Sequence, residues 1–330
     1  LAGELSGITT ELEAMYGTGS HCFSDDDCYD LEGFEAIIDN SRDPDELLKA
    51  WSGWREIGKP MKDKYLRMVD IGNQGAKDLG FEGLSDLWFS KYDMPVSEFS
   101  ESVDRVYEDL KPLYEGLQCH VRAELNEFYG DEVVPNEGSI PAHVLGNMWA
   151  QSWANVYDLV YQEESTGKSI DLTKVINDRG LTEVEMVEIA EDFFLSLGFE
   201  PLEDTFWERS LFVKPVDRNV VCHASAWDIN PKTQDLRIKM CIEKNAEDFV
   251  TIHHELGHIF YYQAYAHQPS VFQSGANDGF HEAVGDLLSL SITPNYLEKI
   301  GFVTKEEADL AKENSIAFLM KQALDGVVPT

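Results

Sequence analysis

Basic residues are scarce in this chain: 26 lysines and arginines stand against 61 aspartates and glutamates, for a net charge of −35 over 330 residues. Such a surface repels phosphate backbones and anionic lipid. The charge therefore argues against nucleic-acid binding and adsorption to acidic membranes, whereas cationic peptides would be drawn in. The acidity serves solubility equally well. No apolar run reaches the roughly 20 residues that a membrane-spanning helix needs, so no span is expected. The chain has neither an initial Met nor a signal-peptide pattern, and Leu1 reads as the start of a processed or excised piece. It carries no Asn-x-Ser/Thr sequon, which points away from an N-glycosylated product. It also lacks internal repeats, low-complexity tracts and a clear linker, and is read as one mainly helical unit with a small sheet.

Cysteine is sparse as well, with five residues. Cys22 and Cys28 bracket a short acidic loop, and Cys222 and Cys241 flank a hairpin-like stretch, so both pairs make sensible local bridges. Two such bridges favour an oxidising location: secreted, extracellular or periplasmic. Cys119 is left over, on what reads as the apolar side of a helix, and is expected to be a small buried thiol. What the chain has in quantity is apolar sequence, 43% of residues, with 11% aromatic. That is ample for a sizeable core and excludes coiled-coil, collagen-like and disordered classes.

One stretch carries chemistry. His254, Glu255 and His258 form His-Glu-x-x-His inside a run with helical apolar spacing (Phe249, Ile252, Leu256, Ile259, Phe260). Residues four apart lie one above the other on a helix, so both imidazoles can share one Zn²⁺. Glu255, on the adjoining flank, is placed to act as general base toward a water on that ion. A catalytic zinc site needs a third protein ligand. The metzincin solution, Gly and then His soon after the second His, is excluded by Ile259-Phe260-Tyr261-Tyr262-Gln263. Glu282 fills the role best, at the head of a second helix-like segment with Phe280, Val284, Leu287, Leu288 and Leu290. Asp286, one turn on, can accept an N–H from a ligating histidine and fix its tautomer.

Elsewhere the pattern is mostly helical. Pro44 with acids around it marks a helix start, followed by the stripe Leu47, Leu48, Trp51, Trp54 and Ile57. A long amphipathic run through Val103, Val106, Leu110, Leu113, Leu117, Val121, Leu125 and Phe128 holds Pro112, which predicts a kink. The weakly charged segment 135–153 must be buried or line a site. Thr182 and Glu185 form a capping box, and Gly198 stops that helix. Only 219–227 and 236–241 read as strands, around a turn at 228–233. A helical pattern at 316–324 closes the chain.

Segments 41–55, 138–160, 221–228 and 253–286 closely resemble the angiotensin-converting-enzyme family of zinc peptidyl-dipeptidases, and the resemblance runs over essentially the whole chain. It implies a mainly α, gluzincin-type zinc metallopeptidase with a small antiparallel sheet beside the active-site cleft. Residues 1–330 would then be part of the catalytic domain, without the N-terminal lid helices and the C-terminal half. His254, His258 and Glu282 match the family's zinc ligands, Glu255 its base, and Asp286 the outer carboxylate. His223, Ala224 and Ala226 match the strand that runs along an oligopeptide substrate. Gln151 matches a residue that helps hold the substrate's C-terminal carboxylate, where the carboxypeptidase relative carries Arg; a neutral amide with more room suits dipeptide release.

Arg55 and Tyr92 match residues of the family's chloride sites, which also draw on residues from beyond Thr330. Cys22–Cys28 and Cys222–Cys241 match two family disulfides. Donors that stabilise the tetrahedral intermediate come from the family's C-terminal half, so this chain alone is expected to be weak or inactive. Apolar faces that such a half would cover are expected to lie exposed. The rival readings are a zinc carboxypeptidase of the same fold and a peptide-binding protein without catalysis.

Overall fold

A computed structural model describes residues 1–161, 170–313, 319–320 and 323–324. The pattern expected at 316–324 lies mostly outside them. The architecture is mainly α, as the periodicities predict, with two small antiparallel hairpins. Contacts divide the chain into two compact units.

The first unit contains α1 (Ala2–Gly17), the hairpin β1 (Ser20–Ser24) and β2 (Asp27–Asp30), α2 (Leu31–Asn40), α3 (Pro44–Gly58), α4 (Lys62–Asp78), α5 (Leu84–Phe89), α6 (Val96–Tyr129) and α7 (Tyr157–Val160). Asp43 caps α3 by accepting the N–H groups of Asp45 and Glu46, and Pro44 occupies the first turn, where its missing N–H costs nothing. The buried side of α3 (Leu47, Ala50, Trp54) packs with Phe34, Ile38 and Leu125. Segment 135–153 is neither helix nor strand apart from one short 3₁₀ turn, yet it buries Ile140, Val144, Leu145, Met148 and Trp153 in the same core, as its low charge predicts.

The expected Cys22–Cys28 bridge is present, and the loop it closes is a hairpin with Cys22 opposite Cys28. Two expectations are corrected in this unit. The run along α6 is buried only at Leu117, Val121 and Leu125, while Val103, Val106, Leu110, Leu113 and Phe128 are exposed. Cys119 is exposed rather than buried, because two residues turn it about 200° away from the side Leu117 presents. Pro112 stands inside α6 without ending it.

The second unit holds α8 (Leu172–Arg179), α9 (Glu183–Leu197), α10 (Asp204–Arg209), the hairpin β3 (Ser225–Asn230) and β4 (Asp235–Lys239), α11 (Ala246–Tyr265), α12 (Asp278–Ser289), α13 (Pro294–Lys299) and α14 (Lys305–Glu313). The capping box at Thr182 and Glu185 and the left-handed Gly198 bound α9 as expected. The strands are shorter than predicted. The turn falls at 231–234, and residues 219–224 run into β3 without pairing as strand. Cys222 and Cys241 are bonded across the base of this hairpin.

The core of this unit centres on α11, whose Phe249, Ile252, Leu256, Ile259 and Phe260 are fully buried against α9 residues such as Phe194 and strand residues such as Ile238. His253 is buried on the core side, its Nδ1–H donating to the Phe249 carbonyl at 2.8 Å and its Nε2 accepting from Tyr296 Oη at 3.1 Å. Burial pushes this imidazole down to about 4. The unfolded chain takes up a proton at this position near pH 6.5, the folded chain only near 4, so stability is lost as pH falls through that window. Between pH 7 and 5 the loss is about 2 kcal/mol. Urea denaturation at both pH values should show His253→Gln losing correspondingly less stability than wild type; an equal loss in both proteins would mean that His253 is not the group responsible.

Candidate metal centre

α11 begins where Asn245 accepts the Asp248 N–H, and α12 where Asn277 accepts the Phe280 N–H; Glu247 and Asp248 stand in the first turn of α11 and Asp278 in that of α12. Each cap satisfies an otherwise orphaned donor, and the acids complement the positive helix end. The two helices cross at Gly257 and Gly285. A Cβ on Gly257 would lie 2.8 Å from the Gly285 Cα, and one on Gly285 would lie 2.8 Å from His254 Nδ1 and 3.0 Å from the His254 carbonyl oxygen. Only glycine at both positions allows this approach.

The approach brings His254, His258 and Glu282 to one point. His254 Nε2 and His258 Nε2 are 3.0 Å apart, and Glu282 Oε2 stands 3.2 Å from the first and 3.5 Å from the second. Ligands roughly 2.0–2.1 Å from a shared tetrahedral ion would be separated by about 3.3 Å, so the spacing suits one metal. The protonation pattern suits it too. His254 Nδ1 is 2.9 Å from Asp286 Oδ1 and donates to it, which leaves a lone pair on Nε2 aimed at the convergence point. Burial lowers the His258 pKa against the pull of Glu282, the direction that favours a neutral, ligating ring. Two imidazole nitrogens and a carboxylate oxygen are a donor set that a borderline-soft dication accepts.

Glu255 is buried, and its Oε2 has no hydrogen-bond partner. Such an atom is costly unless it meets water or substrate. Burial pushes its pKa up to about 7, with His254 drawing it down and Glu282 pushing it up. Glu282 and Asp286 are exposed on α12, so the convergence point is open on that side.

The remaining predicted residues stand elsewhere. Ala226 lies on β3 opposite Ile238, whereas His223, exposed, and Ala224 precede the strand. Among the described residues β3 pairs with β4 alone, so its other edge is unpaired. In the first unit, Gln151 is an exposed residue of an irregular loop, not of a helix, and its N–H is held by Asn147 Oδ1. Arg55 stacks on Trp51 and donates to the Met148 carbonyl, while Tyr92 packs against Phe89 and Phe99.

Sequence reading passed over Gly257, Gly285 and His281. A glycine inside a helix costs about 1 kcal/mol relative to alanine, and two of them in neighbouring motif helices was the available signal.

A helical scaffold that presents two histidines one turn apart and a carboxylate on a crossing helix defines the metallopeptidases built on a His-Glu-x-x-His helix. Comparison with known proteins narrows the class. The profile of a family described as Angiotensin-converting enzyme matches residues 2–329. The chain is 43% identical to the angiotensin-converting enzyme of Sus scrofa over 98% of its own length and 25% of that protein. It is 40% identical to the enzyme of the same name from Theromyzon tessulatum, over 98% of this chain and 53% of the relative. For that of Haematobia irritans exigua the identity is 41%, over 89% and 48%. This chain belongs to the angiotensin-converting-enzyme family, and it spans between about a quarter and a half of these relatives' length.

Proposed function

We propose that the chain carries the zinc centre and part of the peptide-binding surface of a peptidyl-dipeptidase, which releases dipeptides from the C-terminus of oligopeptides. The observation that carries this reading is the convergence of His254 Nε2, His258 Nε2 and Glu282 Oε2 beside the unpartnered, buried Oε2 of Glu255. Zn²⁺ held by the three ligands would supply Lewis acidity and bring the pKa of a water toward neutrality. Glu255 takes the proton of the attacking water on its free oxygen and returns it to the departing amine. Asp286 holds the His254 ring in the tautomer that presents Nε2. The unpaired edge of β3 offers the backbone around Ala226 to an extended peptide, with Ala224 and the exposed His223 at its entrance. By its match to the family position, Gln151 would help hold the substrate's C-terminal carboxylate, where a neutral amide favours release of two residues over one. Arg55 and Tyr92 would each contribute to a chloride site, Arg55 with a guanidinium already engaged with Trp51 and Met148. The two disulfides support a secreted or periplasmic setting.

Incubating a blocked tripeptide with the chain and zinc, and identifying the products, tests the reading. Release of the C-terminal dipeptide, at a low rate, is expected. Release of a single C-terminal amino acid would make it a carboxypeptidase instead, and saturable peptide binding without any cleavage would make it a binding protein.

A further inference from the structure

His254 has a carboxylate behind it, and His258 needs an equivalent partner. A histidine that ligates through Nε2 carries its proton on Nδ1, and that proton must be accepted or the ring is free to turn. The atom nearest His258 Nδ1 in this role is no carboxylate or carbonyl oxygen; it is His281 Nδ1, at 2.8 Å. Two imidazole nitrogens at that separation require one donor and one acceptor. His258 is the donor if its Nε2 is to face the metal, so His281 must be the acceptor and keep its own proton on Nε2. There it meets the hydroxyl of Tyr265 at 3.5 Å, a long contact whose oxygen can accept that proton.

The surroundings hold the His281 ring in place. It packs between Tyr261 and Tyr262, each 4.7 Å away between ring centres, and lies tilted against His258 at 5.0 Å. Gly275 leaves room for its edge: a Cβ there would stand 2.7 Å from His281 Cδ2. His281 also adjoins Glu282 in the chain, so one turn of α12 supplies both a carboxylate oxygen for the convergence point and the acceptor behind His258.

We infer that His281 is a positioning residue for the metal centre, whose neutral Nδ1 accepts the His258 Nδ1 proton and thereby fixes the tautomer and angle of that ligand. The inference rests on the zinc reading above. An imidazole does this without adding negative charge to a site that already gathers Glu255, Glu282 and Asp286. The arrangement is asymmetric: one ligand is backed by an anion, the other by a neutral ring.

The test uses the 330-residue chain and three variants. His281→Asn places an amide oxygen where Nδ1 stands, His281→Gln carries its amide one bond further, and His281→Leu has no acceptor. Zinc affinity is read by competition with a chromogenic chelator, the visible bands of the Co²⁺-loaded chain report ligand geometry, and melting of the metal-free chain checks folding. Asn should bind zinc within roughly threefold of wild type with unchanged Co²⁺ bands, while Gln and Leu should lose about 10–100-fold and shift the bands. Should Leu fail to fold, the contrast between Asn and Gln decides. Equal losses in all three variants would reduce His281 to a packing residue, and wild-type affinity in Leu or Gln would remove it from the centre altogether; either overturns the inference. A wild-type chain that takes up no zinc while the metal-free fold is intact would sink the proposed function itself.

Discussion

Replacing Gly285 with alanine should weaken zinc binding by about 10–100-fold and destabilise the fold by about 1–3 kcal/mol. Helix propensity alone predicts the opposite sign, since alanine is favoured over glycine by about 1 kcal/mol within a helix. The clash decides. The new methyl group would stand 2.8 Å from His254 Nδ1, 2.9 Å from its Cε1 and 3.0 Å from its carbonyl oxygen. Neither a backbone carbonyl inside α11 nor a ring tethered to Asp286 can give way, so α12 must retreat and take Glu282 and Asp286 with it. Chelator competition and urea denaturation on the variant measure both effects. An alanine variant that is more stable and binds zinc as wild type would show that the close crossing of the two helices does not position the site.

Glu255→Gln should separate chemistry from metal binding. Its amide has nearly the shape of the carboxylate and is no ligand in the proposed centre, so zinc stoichiometry and affinity should hold within roughly threefold. Peptide hydrolysis should fall by about 10²–10⁴-fold, because the amide cannot take a proton from the attacking water. The measurement is single-substrate hydrolysis with zinc content determined on the same sample. Retained hydrolysis would assign the base elsewhere, and lost zinc would make Glu255 part of the metal's support.

The His-Glu-x-x-His helix was legible because burial and chemistry follow the same 3.6-residue period: its apolar positions are fully buried, and the two histidines recur one turn apart. Helix ends with a chemical signature, Asp43-Pro44 and Thr182 with Glu185, were legible for the same reason, since the signature is itself the capping interaction. The long run on α6 was not. Apolar periodicity tells which side of a helix is greasy but not what covers it, and among the described residues only the half around Leu117, Val121 and Leu125 is buried. On α12 Phe280 and Leu287 are likewise exposed, as is Leu290 at its C-terminal cap. The hairpin at Cys22 and Cys28 escaped notice because its strands carry serine, aspartate and histidine where β-branched residues would have signalled sheet. His281 was invisible for another reason. Its role depends on which atom it meets across the crossing of α11 and α12, and no one-dimensional spacing encodes that meeting.

In the proposed centre His254, His258 and Glu282 share one ion. X-ray absorption at the zinc edge, on the chain loaded with one equivalent of Zn²⁺, tests it most directly. A single tight site is expected, with two imidazole nitrogens and carboxylate or water oxygens at about 2.0–2.2 Å, reduced to one imidazole in His258→Ala. Failure to bind a stoichiometric equivalent, or a two-imidazole signal that survives in His258→Ala, would contradict it.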